Sequence, residues 1–273
     1  NYGWGEAEDY TIVITIPMCT STITTYPYNE DFESFTACST TPTAACTLTN
    51  GWTNQTSDDI DWTTNAGGTI SPATGPSIDF NPGAAAGKYL YTEASATGGN
   101  PSMTAIITSP CFDLIAVNNA ELVFAYHMYG INMGTLNLEV TADNITWINA
   151  WTLTGDQTDT WSTATVNLSA YDGQTIKIRF RGITGAEFES DMAIDDVTIQ
   201  EAPYCAPTYT TGTSDGDYID GVVLGSISNT GSGSTTGAFY NDYTSMSTNL
   251  VQGSLQSLAI TGGTYASDEY AAW

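Results

Sequence analysis

The segment that decides the fold is Glu121–Val140, which reads ELVFAYHMYGINMGTLNLEV. Apolar side chains alternate along Leu122–Met128 and again along Leu136–Val140. Alternation with a period of two indicates β-strands that bury one face against a core. Gly130 and Gly134 bracket the connection between the two strands, so the pattern predicts a β-hairpin.

A third segment shows the same alternation and predicts a further strand in the same core. Its apolar and basic residues point to opposite faces, in the order Ile176, Lys177, Ile178, Arg179, Phe180 and Arg181. Together these strands predict a β-sandwich. Because the apolar residues face the core, three of the chain's four basic residues form a row on the outer face. We expect this row to pair with Glu121 and Glu139. The alternative is an interface that receives an acidic patch from a second copy or a neighbouring domain.

The balance of charge excludes whole classes of partner. The 273 residues carry 4 Lys and Arg against 30 Asp and Glu, which gives a formal net charge of -26. Such a surface repels phosphate backbones, so we expect no nucleic acid partner, and it disfavours an anionic membrane surface. No apolar run reaches the roughly 18 residues that a transmembrane helix needs, so we expect no membrane insertion. An acidic surface attracts divalent cations instead.

The cysteines favour disulfides over a metal or redox motif, because none of the five forms a CxxC pair. Cys38 and Cys46 flank a short loop rich in Thr, Pro and Ala, and we expect them to form a disulfide that contributes about 2–3 kcal/mol. The alternative is a pair of buried thiols. Cys19 and Cys205 lie in Pro-containing junctions and are candidates to link neighbouring domains, while Cys111 has no obvious partner.

The two ends of the chain predict neighbouring domains. Residues 1–17 contain an alternating strand with no partner strand before it, and an isolated strand does not fold alone. We therefore expect residues 1–17 to close a preceding domain and residues 18–28, which are rich in Thr, to form a linker. Residues 29–201 then form the central domain, and residues 204–273 begin a following one.

Eight motifs follow one another in the central domain: DFE (Asp31–Glu33), DDIDW (Asp58–Trp62), TGPS (Thr74–Ser77), GKYLYTEAS (Gly87–Ser95), TSPC (Thr108–Cys111), YHMYG (Tyr126–Gly130), GTLNLEV (Gly134–Val140) and DMAIDDV (Asp191–Val197). In this order they resemble the MAM domain, the extracellular module of meprins, neuropilins and receptor tyrosine phosphatases. The resemblance implies a jelly-roll β-sandwich that serves adhesion and oligomerisation without catalysis. The sequence departs from the family in its cysteine pattern, since Cys111 directly follows Ser-Pro.

The flanks carry a second resemblance. YGWGEAEDYTIVI, at residues 2–14, is similar to the closing strand of a GEVED domain, and residues 204–273 resemble the start of another. This arrangement resembles large cell-surface and secreted proteins of bacteria that use type IX secretion, which include adhesins and multidomain peptidases. The resemblance therefore implies an extracellular or cell-surface location.

The acidic residues predict a calcium site, with sodium as the alternative ion. Calcium takes several oxygen ligands, and clustered carboxylates repel one another unless a cation neutralises them. In jelly rolls the first and last strands commonly lie side by side, and MAM-like sandwiches include members with a cation at a comparable location. The other interpretation is a set of exposed, solubilising acids. The expected ligands are drawn from Glu33, Asp59, Asp61, Asp195 and Asp196.

No catalytic device emerges from the sequence. His127 is the chain's one histidine, and its place within a strand predicts a packed or surface side chain. We therefore predict a non-catalytic module for adhesion or structural assembly, whose partners are other copies or other surface proteins, with glycans as a further option. A homo-oligomer or a fibre would result. The alternatives are a carbohydrate-binding module and an accessory module of a secreted enzyme such as a metallopeptidase.

Overall fold

The computed structural model describes residues 19–38, 45–95, 102–203, 216, 218–233, 243, 245–251 and 253–265. The chain divides into two compact units, Asn1–Ala202 and Pro203–Trp273. The strand expected in residues 1–17 and the cysteine at position 205 lie outside the described residues. In the part that is described, no helix is long and apolar enough to cross a membrane.

The described residues of the first unit form thirteen strands and one short 3-10 helix, Ser169–Tyr171. In chain order the strands are β1 (Thr22–Ile23), β2 (Tyr28–Glu30), β3 (Thr53–Asn54), β4 (Trp62–Ala66), β5 (Lys88–Thr92), β6 (Thr104–Thr108), β7 (Cys111–Asp113), β8 (Ala120–Met128), β9 (Thr135–Thr141), β10 (Ile148–Thr154), β11 (Ser162–Asn167), β12 (Thr175–Ile183) and β13 (Met192–Glu201). The unit is all-β.

Two sheets divide these strands between them. In the seven-stranded sheet, β12 pairs with β9 on one side and with β6 and β7 on the other, while β10, β3 and β1 lie further out. In the six-stranded sheet, β13 pairs with β8 on one side and with β5 and β2 on the other, while β11 and β4 complete the sheet. All pairs are antiparallel except β1 with β7. The unit is a jelly-roll β-sandwich, as the sequence predicts.

The predicted hairpin between β8 and β9 is wrong, because the two strands belong to different sheets. Alternation shows that each strand buries one face, and two strands that face each other across a core satisfy the same pattern. The glycines between them serve close approach instead of a hairpin turn. A Cβ on Gly130 would lie 2.2 Å from the carbonyl oxygen of Glu189, and a Cβ on Gly134 would lie 1.9 Å from that of Ile183. The connection between β8 and β9 therefore packs tightly against neighbouring backbone where it passes from one sheet to the other.

Aromatic side chains join the two layers. Phe124 of β8 and Phe180 of β12 are fully buried, and their ring centroids lie 4.9 Å apart in an edge-to-face arrangement. Trp52 stacks on Phe180 from the loop before β3, with the centroids 6.4 Å apart. Burial of one such side chain stabilises the fold by roughly 1.5–3 kcal/mol. The alternation in β8 and β12 thus works by placing large rings from both sheets in one core.

The segment expected to be a linker is attached to the first unit. Within it, β1 pairs with β7, and Cys19 forms a disulfide with Cys111 across a sequence separation of 92 residues. Closing a loop of that length contributes on the order of 4–5 kcal/mol in the chain-entropy model. Cys19 therefore links parts of one unit instead of two domains. The expected bridge between Cys38 and Cys46 also forms, with the Cα atoms 5.6 Å apart.

The second unit contains a small antiparallel sheet in its described residues. Its strands are β14 (Ile219–Leu224), β15 (Ile227–Thr230) and β16 (Leu258–Gly262), with β14 in the middle.

Candidate functional site

The basic row lies on the outer face of the seven-stranded sheet, as predicted. Along β12 the core residues Ile176, Ile178 and Phe180 are fully buried, while the basic residues between them are partly exposed. We call the outward side chains of Lys177, Arg179 and Arg181, together with the neighbouring Glu139 and Trp147, the basic face.

Arg179 is held from two sides. Its Nε donates to the carboxylate of Glu139, the residue directly opposite it on β9, and its guanidinium carbon lies 4.2 Å from the ring centroid of Trp147. Both charged side chains are largely covered, with 18% of Arg179 and 12% of Glu139 exposed. A covered ion pair beneath an indole ring fixes the guanidinium in one position.

The other two basic residues are not neutralised in this way. Lys177 Nζ donates to the side-chain oxygen of Asn144 at 3.3 Å, which is a neutral partner. Among the described residues, neither Lys177 nor Arg181 has a carboxylate within 4.0 Å. The expected pairing with Glu139 is therefore present, but the expected pairing with Glu121 is wrong. Glu121 lies on β8 in the other sheet, where it accepts a hydrogen bond from Gln200 at 2.8 Å.

The turn between β9 and β10 borders the basic face and is rigidly hydrogen-bonded. The carboxylate of Asp143 accepts from the backbone N–H of Ile145 at 2.8 Å and of Thr146 at 2.7 Å, and from the hydroxyl of Thr141 at 2.9 Å. These hydrogen bonds, chiefly from the backbone of Thr146, lower the pKa of Asp143 to about 2. The turn presents an apolar side chain to solvent, since Ile145 is 83% exposed.

The predicted cation ligands accept hydrogen bonds from other groups of the protein. Three of the five belong to loops: Glu33 accepts from the backbone N–H at position 88, Asp59 from that at position 104, and Asp61 from that at position 46. Across the described residues, no group of three or more His, Cys, Asp or Glu side chains has an arrangement that could hold a metal ion. The calcium site stays a prediction.

The remaining two predicted ligands mark an irregularity in β13. The register of β13 with β8 shifts between Asp195 and Thr198, and Asp196 adopts a positive φ of 51°. Asp195 is fully buried and accepts from the backbone N–H of Phe80 at 3.0 Å. Burial raises the pKa of Asp195 to about 8, although hydrogen bonds from the backbone oppose the shift. As expected, the first and last strands of the domain lie side by side, because β2 pairs with β13.

A buried acidic pair, Asp191 and Glu93, was not predicted. Asp191 is fully buried and Glu93 is 3% exposed. The backbone N–H of Ala94 donates to Asp191 at 2.9 Å, and that of Ser95 donates to Glu93 at 2.8 Å. Burial, followed by the charge of Glu93, raises the pKa of Asp191 to about 8. Both acids lie within quoted motifs, but nothing in either motif shows that the two meet.

The single histidine is packed, in line with its place in the strand. His127 is 2% exposed, its Nε2 lies 3.2 Å from the carboxylate of Asp159, and Trp161 stacks edge-on at 5.4 Å. Burial lowers the pKa of His127. Its Nδ1 is buried without a hydrogen-bond partner among the described residues. A serine–histidine–aspartate device needs a hydroxyl on the second ring nitrogen, and among the described residues none takes that place.

Comparisons with known proteins agree with the fold. The family model described as MAM domain, meprin/A5/mu, matches residues 31–206. MAM domain-containing glycosylphosphatidylinositol anchor protein 1 of Gallus gallus is 34% identical over 160 residues, which cover 55% of this chain and 16% of that protein. MAM domain-containing glycosylphosphatidylinositol anchor protein 2 of Mus musculus is 32% identical over 185 residues, which cover 63% of this chain and 19% of that protein. This chain thus spans less than a fifth of either relative.

Among solved structures, the K1 cleaved adhesin domain of Lys-gingipain from Porphyromonas gingivalis W83 aligns with 66% of this chain and 100% of its own, at a TM-score of 0.43 and 18% identity.

Proposed function

Since this chain belongs to the MAM domain family, we propose that it is a non-catalytic extracellular module for adhesion or for assembly of a larger surface protein. The family match over residues 31–206 carries the proposal. The curated relatives support a modular role, because the matched region makes up only 16% and 19% of their lengths.

The disulfides support the location. Cys19–Cys111 and Cys38–Cys46 are both closed. Disulfides persist in oxidising surroundings outside the cytosol, so the module belongs in the extracellular space or on the cell surface. Its partners in this proposal are other copies or other surface proteins, with assembly into a homo-oligomer or a fibre.

We also infer a bacterial, multidomain setting from the flanks. The GEVED-like motifs in residues 2–14 and 204–273 support a larger surface protein exported by type IX secretion. The strands of the second unit are compatible with the start of a further β domain after the MAM domain. Calcium, bound through some of the predicted carboxylates, is part of the same proposal.

An adhesion assay tests the function. The full chain is displayed on a non-adherent bacterium, and cells are counted after washing on surfaces coated with the same chain, with other surface proteins or with glycans. We expect retention on at least one coating above that of cells displaying the reduced and alkylated chain. Equal retention of both cell types on every coating, or turnover of a peptide, ester or glycoside substrate by the purified chain, would refute the proposal.

A further inference from the structure

We propose that the basic face is a docking surface for an extended, acidic segment of a partner protein. The inference rests on the proposed adhesive function and deepens it, because it names the surface and the chemistry of what binds there. Arg179 and Trp147 form its fixed centre, Lys177 and Arg181 receive carboxylates, and Ile145, in the turn between Asn144 and Trp147, forms an apolar border.

Charge is the first argument for an acidic partner. The chain has 30 acidic residues for 4 basic ones, and three of the four basic residues share this face. Glu139 neutralises Arg179, but within the described residues no carboxylate reaches Lys177 or Arg181. Two positive charges thus stay open to carboxylates from outside. Electrostatic complementarity of this kind gives specificity and register to protein association.

The residues at the centre and border favour a protein over a glycan. Trp and Arg are the side chains most enriched among residues that dominate binding energy at protein interfaces. Ile145, which is 83% exposed, offers apolar contact but no hydrogen bonds to sugar hydroxyls. The hydrogen bonds of Asp143 hold this border in place before binding, which lowers the entropy lost on association.

Spacing favours an extended segment. Alternate residues on β12 lie about 6.6–6.8 Å apart along the strand. An extended partner presents its own alternate side chains at the same interval, so carboxylates at every second position can face the row in register. The net charge of -26 opposes approach of an anion from a distance. At about 0.15 M salt the Debye length is about 8 Å, so carboxylates on the far sheet are largely screened.

Peptide binding to the full chain tests the surface. The probe is a fluorescein-labelled nonapeptide with glutamate at every second position and valine or threonine between, and its reference peptide has glutamine in place of glutamate. Fluorescence anisotropy at about 0.15 M salt gives both affinities. We expect the glutamate peptide to bind more tightly and the double variant Lys177→Gln/Arg181→Gln to weaken it about tenfold. The matched control, Lys88→Gln, removes one positive charge from β5 in the other sheet and should change the affinity less than about twofold.

The outcomes separate this surface from competing explanations. The proposal would be overturned by equal binding of both peptides or by no binding. It would also be overturned if Lys88→Gln weakened binding as much as either single substitution on the row. The proposal would also be overturned if no peptide binds while the double variant loses binding to sugars on a glycan array. Loss of binding to a second copy in sedimentation velocity, again without peptide binding, would have the same consequence. If cells displaying the double variant adhere like the wild type and no peptide binds, the adhesive function survives and the docking surface fails. If the peptide binds as expected but no cells adhere, the docking surface stands and the adhesive function fails.

Discussion

Replacing Asp191 by Asn should change how the stability of the first unit depends on pH. Asp191 is fully buried, and burial together with the charge of Glu93 raises its pKa from 3.8 to about 8. Between these two values the folded state keeps a proton that the unfolded state loses. The stabilisation is therefore complete below the unfolded pKa and is lost progressively as the pH rises toward the folded pKa. An asparagine has nothing to titrate and resembles the protonated acid in shape.

The magnitude follows from linkage. Between the two pKa values, the free energy of unfolding of the wild type falls by about 1.4 kcal/mol for each pH unit. From about pH 5 to about pH 8 it should therefore fall by on the order of 4 kcal/mol relative to the variant. A domain of this size is stable by only about 5–15 kcal/mol, which makes the difference easy to measure. This pH range lies above the isoelectric point of the chain, which is about 4.1. Precipitation near the isoelectric point therefore does not interfere with the measurement.

Urea unfolding of the full chain, followed by the fluorescence of the buried Trp52 and Trp62, provides the assay. All samples contain a chelator, so that metal binding does not contribute. The quantity of interest is the difference in unfolding free energy between variant and wild type at each pH, because titrating groups that do not interact with Asp191 cancel in it. The variant Glu187→Gln, at an exposed carboxylate, should show no trend. A difference for Asp191→Asn that stays constant across the range would refute the reasoning.

Three further predictions concern cross-links and charges. Alkylation of the folded chain without reductant should leave four cysteines unmodified, as read by the masses of proteolytic peptides: Cys19, Cys38, Cys46 and Cys111. Labelling of any of them would contradict its bridge. If the predicted cation site exists, millimolar calcium should raise the melting temperature relative to chelator, because the metal binds the folded state; identical melting curves would remove the site. A double-mutant cycle of Arg179→Gln and Glu139→Gln should give a coupling of about 0.2–1 kcal/mol, and a coupling of zero would show that the pair contributes nothing.

Local patterns predict the strands well and their partners poorly. The alternation in β8, β9 and β12 identifies each strand and the face that enters the core, since the alternating pattern lies within that strand alone. Which strand lies next to which depends on the whole topology. The hairpin prediction and the pairing of the basic row with Glu121 both failed for this reason. Glu139 was predicted correctly because β9 and β12 are neighbours in one sheet.

Distance along the chain likewise limits how well the acidic pair and the disulfides can be predicted from the sequence. Cys38 and Cys46 are 8 residues apart, and their bridge could be expected from the short loop alone. Cys19 and Cys111 are 92 residues apart and meet only because β1 pairs with β7. Asp191 and Glu93 likewise come together only because β13 pairs with β5. No local motif encodes such meetings.

The Cys19–Cys111 bridge also determines how the first unit responds to mechanical load. A pulling force that enters from the N-terminal side passes at Cys19 directly into β7, because the covalent bridge bypasses the chain between them. The 92 residues of that segment span about 300 Å when extended, and none of this length can be drawn out while the bridge is intact. Under such a load the first unit can therefore lengthen only through the chain after Cys111, until reduction or cleavage of the bridge releases the segment before it.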